Sequence, residues 1–161
     1  MTEEFLIAVA AGYLLGSLSF AVIMSRLMGL ADPRSYGSGN PGATNVLRSG
    51  NKQAALLTLA FDALKGYGPV LACAWLGYGE TVAAAAGLAA FVGHLWPLFF
   101  RFQGGKGVAT AAGVVFGLNP LLGLAVLASF ALVVGFTRYV SLASMVAAVF
   151  AAFYQALIWG L

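Results

Sequence analysis

GHLWPLFFRFQGGKGVAT, residues 93 to 110, decides how this chain is read. It leaves one long apolar segment, passes a histidine, a proline, an arginine and a Gly-Gly-Lys-Gly turn, and enters another apolar segment at Val108. Reactive and cationic groups are thus concentrated where two hydrophobic helices meet. A second stretch, GSGNPGATNVLR from Gly37 to Arg48, has the same character. The two are expected to come together at one face of a membrane.

Composition points to that solvent. Of 161 residues, 61% are hydrophobic and 8% charged, with mean hydropathy +0.94; a soluble domain of this length lacks the interior to hide so much apolar side chain. Glycine is abundant without a Gly-X-Y period, which suits close backbone approach between membrane helices. A formal charge of +3 fits cytoplasmic-loop bias or an anionic substrate, and no Lys/Arg run of the kind nucleic-acid binding needs is present. The lone Cys73 lies in an apolar segment and reads as a small buried hydrophobe; neither a disulfide framework nor a cysteine metal site is available. Glu3 and Glu4 stand where a secretory signal needs bases, so the first apolar segment reads as a retained span.

Working outward, Phe5 to Ser25 is long enough to cross the hydrocarbon core, with Arg26 as an interfacial stop. Gly12, Gly16 and Ser19 within it suit helix contact. Leu27 to Ser38 is a polar connection in which Asp32-Pro33 breaks any helix. A helix begins near Ala43, and Ala54 to Leu76 forms the next apolar segment, expected to bend or break at Gly66, Gly68 and Pro69. Thr81 to Phe100 is another span, interrupted near its end by His94 and Pro97. Val108 to Gly117 is too short to cross upright and is ended by Asn119-Pro120; Leu121 to Phe136 and Ser141 to Leu161 follow as further spans. The expected fold is all-α, a polytopic transmembrane helical bundle with short or broken helices, in one domain over residues 1–161.

The glycine-rich stretch at 37–42 matches GxGxxG, with Asp62 near the right distance for a dinucleotide fold. That reading fails, because a Pro-containing turn rather than a strand precedes it and Asp62 lies inside an apolar helix. Its physics survives: Gly39 and its neighbours expose backbone N–H groups, Ser38, Asn40, Thr44 and Asn45 add neutral donors, and Arg48 adds a fork suited to an oxyanion. The competing reading is a tight loop whose side chains cap the following helix. Asp62 and Lys65 share one side of an apolar helix, either as a structural ion pair or as part of an active site. His94 is the one histidine, which excludes a His-cluster metal site. Gly104, Gly105, Lys106 and Gly107 lack P-loop spacing, but they place a lysine on a donor-rich turn leading into a helix N-terminus, where an anion is favoured.

These residues resemble one family closely: the bacterial membrane glycerol-3-phosphate acyltransferases that use acyl phosphate as donor. The resemblance rests on Gly16-Ser17 and Arg26, GSGNPGATNVLR, Asp62 with Lys65-Gly66, GHLWPLFFRFQGGKGVAT, and Thr137 with Ser141-Leu142 and Ser144, and so extends through nearly the whole chain. It implies seven membrane helices in the bacterial inner membrane and acyl transfer from acyl phosphate to glycerol 3-phosphate, giving 1-acylglycerol 3-phosphate and inorganic phosphate for phospholipid synthesis. It implies no nucleotide, acyl carrier protein, CoA, metal cofactor or obligate protein partner; membrane lipids are its surroundings. The family normally continues into a last helix with a His and Asn motif, a block this sequence does not contain, so the domain is expected to be C-terminally incomplete. The resemblance and the need to hold two phosphates assign Lys106 and Arg48 to phosphate recognition, and Ser38, Asn40, Thr44 and Asn45 to orientation. Gly104, Gly105 and Gly107 form an anion nest, His94 serves orientation or phosphate contact, and the donor phosphate itself takes the glycerol proton. No carboxylate dyad, Ser-His-acid order or reactive cysteine supports a covalent acyl-enzyme. A transporter of phosphate-containing or other organic anions accounts for the same short helices and intramembrane charges, and composition alone does not separate the two.

Orientation follows from the bases. With the first span running from outside to inside, Arg26, Arg34, Arg48 and Lys52 fall in the first cytoplasmic connection, Arg101 and Lys106 in the second, and Arg138 in the third, with Glu80 outside. Single cysteines at Ser49 and Gln103 are therefore expected to label from the cytoplasmic side with an impermeant thiol reagent. Labelling of the two from opposite sides would refute a shared face.

Overall fold

The computed structural model describes residues 2–160, which form eight α-helices and two 3₁₀ turns, with no strand among them. Thr2 caps α1 (Glu3–Gly16) by accepting from the Phe5 N–H, and a break at Ser17–Ser19 separates it from α2 (Phe20–Leu27). A 3₁₀ turn at Pro33–Ser35 and α3 (Ala43–Leu47) shape the first polar connection. Asn51 caps α4 (Lys52–Trp75), accepting from Ala54 N–H at 2.9 Å. Then come α5 (Glu80–Leu95), a 3₁₀ turn at Leu98–Phe100, α6 (Val108–Leu118), α7 (Pro120–Thr137) and α8 (Val140–Trp159).

Four helical segments are long and apolar enough to cross a membrane: Lys52–Trp75, Glu80–Phe100, Pro120–Thr137 and Val140–Ile158; the α1–α2 pair, bent by 42°, makes a fifth. At 11 residues, α6 rises only about 16 Å, roughly half of the hydrocarbon core. Asn119 ends it and caps α7 by accepting from Leu122 N–H, and α7 folds back so that Gly123 meets the Phe116 backbone. Two expectations change. Span one is not a continuous helix over Phe5–Ser25. Conversely, α4 runs unbroken through Gly66, Gly68 and Pro69, because a missing proline donor costs less inside lipid than opening further backbone that has no water to bond.

The distribution of side chains inverts that of a soluble protein. Leu6, Leu14, Leu64, Leu124 and Phe136 face outward, whereas the buried apolar positions are mostly small, among them Ala21, Ala54, Ala86 and Ala90. Such an interior is held by backbone proximity, since lipid tails are as apolar as leucine and supply no hydrophobic drive between helices. Helix α1 lies along α5, α4 packs on α5 and α6, and α8 packs on α7. At the first interface a Cβ on Gly16 would occupy the space of the Ala90 backbone; at the second, one on Gly113 would meet the Ala63 carbonyl. Overpacking of this kind costs about 1–3 kcal/mol or more. Gly16→Leu and Gly113→Leu are each expected to lower the melting temperature in detergent by about 3–10 °C. Gly135→Leu, on an exposed stretch of α7 with open space around it, is expected to leave it unchanged. Equal melting of all three would refute packing through glycine.

Candidate active site

The lower-energy choice for a lysine in an apolar helix is a partner, and Lys65 has two. Its Nζ donates to the Leu18 carbonyl at 2.6 Å and stands 2.8 Å from Asp62 Oδ1, a charge contact whose angles fall short of a hydrogen bond. It also lies 5.7 Å from the centre of the Phe20 ring, itself stacked on Phe61. Leu18 sits in the α1–α2 break, where its carbonyl is released from helical bonding. That carbonyl gives the buried ammonium a second partner beside Asp62.

From this pair a chain of polar contacts leads to the glycine turn. Asp62 Oδ1 is 3.7 Å from His94 Nδ1, and that nitrogen is 3.1 Å from Thr110 Oγ1. Asp62, Lys65, His94 and Thr110 come from α4, α5 and α6 and are only 2%, 5%, 7% and 0% exposed. His94 also grips the turn by its backbone, its carbonyl accepting the Gly105 N–H at 3.1 Å. Only glycine fits at 105: a methyl there would meet His94 Nε2 and lie 3.1 Å from the Pro41 carbonyl oxygen. That contact brings the two polar motifs together, since Pro41 belongs to the 37–48 stretch and Gly105 to the 93–110 stretch.

Each motif is built from its own backbone logic. Asn45, 2% exposed, ties the first loop: its Nδ2 donates to the carbonyls of Pro33 (2.6 Å) and Tyr36 (3.1 Å), and its Oδ1 accepts from Ser38 N–H at 3.0 Å. The side chain sequence reasoning offered as an oxyanion ligand is therefore occupied in holding the loop. Ser38, Gly39 and Thr44 are exposed and Asn40 half-buried. Arg48 is exposed, with its guanidinium beside Gly37, where a methyl would lie 3.2 Å from Nη1. In the second motif Lys106 is exposed between half-buried Gly105 and buried Gly107. Gly107, at φ 73°, enters the left-handed region to start α6 and offers no side-chain cap to the first amides of that helix.

Of the lysines and arginines, only Arg34 and Lys65 have a carboxylate partner among the described residues. Arg34 is committed to Asp32, at 2.7 Å between Nη2 and Oδ2, and its guanidinium holds the Asp32 carboxyl below the usual carboxylate range. Neither Arg48 nor Lys106 has a carboxylate partner among the described residues. The glycine turn and the uncapped start of α6 thus meet, through Pro41, the loop that also carries Arg48. From Gly107, whose position touches the Phe91 ring, an apolar groove lined by Leu88, Phe91, Ala111, Val114 and Leu118 runs between α5 and α6. Thr137, Ser141 and Ser144 lie at the α7–α8 junction, where the Thr137 and Ser144 hydroxyls bond carbonyls within that region. Two participants were not singled out from sequence: Thr110, the last residue of the opening stretch, and the Leu18 carbonyl, whose only local signal was the Gly-Ser-Leu-Ser run at 16–19. No cluster of metal-ligating side chains occurs among the described residues.

The fold defines a class, a polytopic helical membrane protein, here with two glycine-rich polar loops meeting beside an apolar groove. The sequence matches the glycerol-3-phosphate acyltransferase family over residues 6–160, and the chain belongs to that family. The glycerol-3-phosphate acyltransferase of Paraburkholderia phytofirmans is 60% identical over 162 residues, covering 98% of this chain and 75% of the relative. That of Burkholderia pseudomallei is 58% identical over 158 residues, covering 98% and 78%. Crystal structures of PlsY (YgiH), an integral membrane glycerol 3-phosphate acyltransferase, superpose with TM-scores of 0.89 in the glycerol 3-phosphate form and 0.87 in the lysophosphatidic acid form. They are 42% and 41% identical, each alignment covering 95% of this chain and 76% of the other.

If Asp62 and Lys65 compensate each other, removing either strands the other. A double-mutant cycle of Asp62→Asn and Lys65→Gln, read by melting in detergent, is expected to give a coupling of about 1–3 kcal/mol. Strict additivity would refute the pairing.

Proposed function

We propose that this protein transfers the acyl group of an acyl phosphate to glycerol 3-phosphate, releasing inorganic phosphate, at the cytoplasmic face of the bacterial inner membrane. The observation that carries the reading is the meeting, through Pro41 and Gly105, of the 37–48 loop that bears Arg48 with the 104–107 turn that bears Lys106. Both substrates are anions, so their approach is opposed until cations and amide donors surround the two phosphates. Arg48 supplies a planar fork that pairs bidentately with a phosphate, and Lys106 a compact ammonium beside the first amides of α6. Ser38 and Asn40 orient the headgroups, and Asn45 acts by fixing the loop that carries them. The groove leading from Gly107 takes the acyl chain, which places the acyl carbonyl at the polar end where the cations lie.

The chemistry then balances without a protein nucleophile. The glycerol hydroxyl oxygen attacks the acyl carbonyl carbon, a new ester bond forms, the bond from acyl carbon to phosphate oxygen breaks, and the departing phosphate carries away the hydroxyl proton. Negative charge builds on the carbonyl oxygen and the leaving phosphate, so donors aimed there bind the transition state more tightly than the reactants. His94, buried behind the turn, serves orientation in this reading.

Lys106 provides the test. In the full-length gene product at matched folded amounts, Lys106→Ala is expected to lose about 10²–10³-fold in acyl transfer measured by mass spectrometry. Lys106→Arg should restore only part, since a planar fork does not reproduce an ammonium between two glycines. A lysine that merely snorkels to the interface would be replaced by arginine without loss. Near-normal turnover in both variants would remove Lys106 from the active site.

A further inference from the structure

The network is almost wholly buried, yet it touches both polar motifs. Lys65 holds the Leu18 carbonyl at the break from which α2 leads into the first polar connection. Asp62 and Thr110 flank the Nδ1 of His94, and His94 holds the glycine turn by its carbonyl and by the ring face of Nε2. Asp62 Oδ1 is buried without an aligned hydrogen-bond donor, and as a carboxylate oxygen it only accepts. A nitrogen placed between such an oxygen and a threonine hydroxyl is best satisfied by carrying a hydrogen. A bare Nδ1 would set its lone pair against the carboxylate.

We infer that Thr110, with the Asp62–Lys65 pair behind it, is a positioning residue for acyl transfer: the Asp62 carboxylate favours the Nδ1–H form of His94, the Thr110 hydroxyl accepts that hydrogen and holds the ring with Nε2 turned to Gly105, and the two thereby set where Lys106 and the turn amides stand. The inference rests on the proposed acyltransferase reading and gives Thr110, which is fully buried, a supporting role behind the turn. Thr110 suits the task because it has two attachments. Its hydroxyl meets His94, while its methyl and carbonyl lie against Gly66 of α4, next to Lys65 in the chain. The hydroxyl is thus held against the imidazole by a residue packed on the helix that carries the ion pair. Second-layer hydrogen bonds of this kind fix a histidine's tautomer and ring orientation, and displacement of a binding group by about 1 Å is worth up to about 10²-fold in rate.

Valine copies threonine's shape without its hydroxyl, and serine keeps the hydroxyl without the methyl. Thr110→Val is expected to raise KM for glycerol 3-phosphate or lower kcat by about tenfold or more, with melting no lower than that of Thr110→Ser, and Thr110→Ser is expected to recover most of the activity. Independently of activity, ¹⁵N-histidine spectra of the wild-type full-length protein should show a hydrogen on Nδ1 of His94, the signals being identified by their loss in His94→Gln. Thr110→Val should shift them. An unprotonated Nδ1 in the wild type overturns the proposal, as does a Thr110→Val enzyme with wild-type kinetics; if Thr110→Val does not fold, the wild-type spectrum decides. A protein with the expected Nδ1–H but no acyl transfer would instead sink the functional reading and leave the network standing.

Discussion

A single ammonium inside an apolar helix constrains much of this structure. Lys65 has no water to retreat to, and every feature around it answers that fact: a carboxylate three residues earlier, an aromatic face, and a carbonyl released by a break in the first span. The bend then directs α2 toward the polar connection that carries Arg48. In the other direction the same pair reaches the Gly-Gly-Lys-Gly turn through His94. One buried charge thus sits behind both polar motifs.

Glycine does the remaining work of assembly. Where α1 meets α5 and α4 meets α6, backbones touch backbones, which lets short side chains form the interior while long apolar ones face lipid. Close packing also keeps the polar network dry, and a dry network is stiff, because each of its groups has only the partners the fold provides. The half-length helix α6 fits this scheme. It starts at the turn on one side, ends at Asn119 partway across, and is backed by α7.

What the sequence disclosed divides along lines of chemical locality. The apolar segments, the short helix at 108 and its stop at Asn119-Pro120 were legible because length and punctuation are local properties. The i,i+3 spacing of Asp62 and Lys65 was enough to anticipate their pairing, and glycine with basic residues was enough to mark both loops. The break at Ser17–Ser19 was not legible, since the carbonyl it frees meets its partner, Lys65, 47 residues away. Nor was the continuity of α4 through Pro69, which reflects what surrounds the helix rather than its residue types. Asn45 reads as a free polar donor in sequence and as a loop tie in space. Thr110 was in view from the first quoted stretch, but its value depends on a histidine presented by the preceding helix.

The central claim is that the gathered cations and amides serve acyl transfer rather than passage of an anion across the membrane. Purified full-length protein in proteoliposomes, given acyl phosphate and radiolabelled glycerol 3-phosphate, tests it most directly by following inorganic phosphate, acylated product and lumenal label together. The account predicts phosphate and 1-acylglycerol 3-phosphate released one for one, dependent on both substrates, with no protein-dependent accumulation of glycerol 3-phosphate inside. Lumenal accumulation of the unmodified anion without product would contradict it.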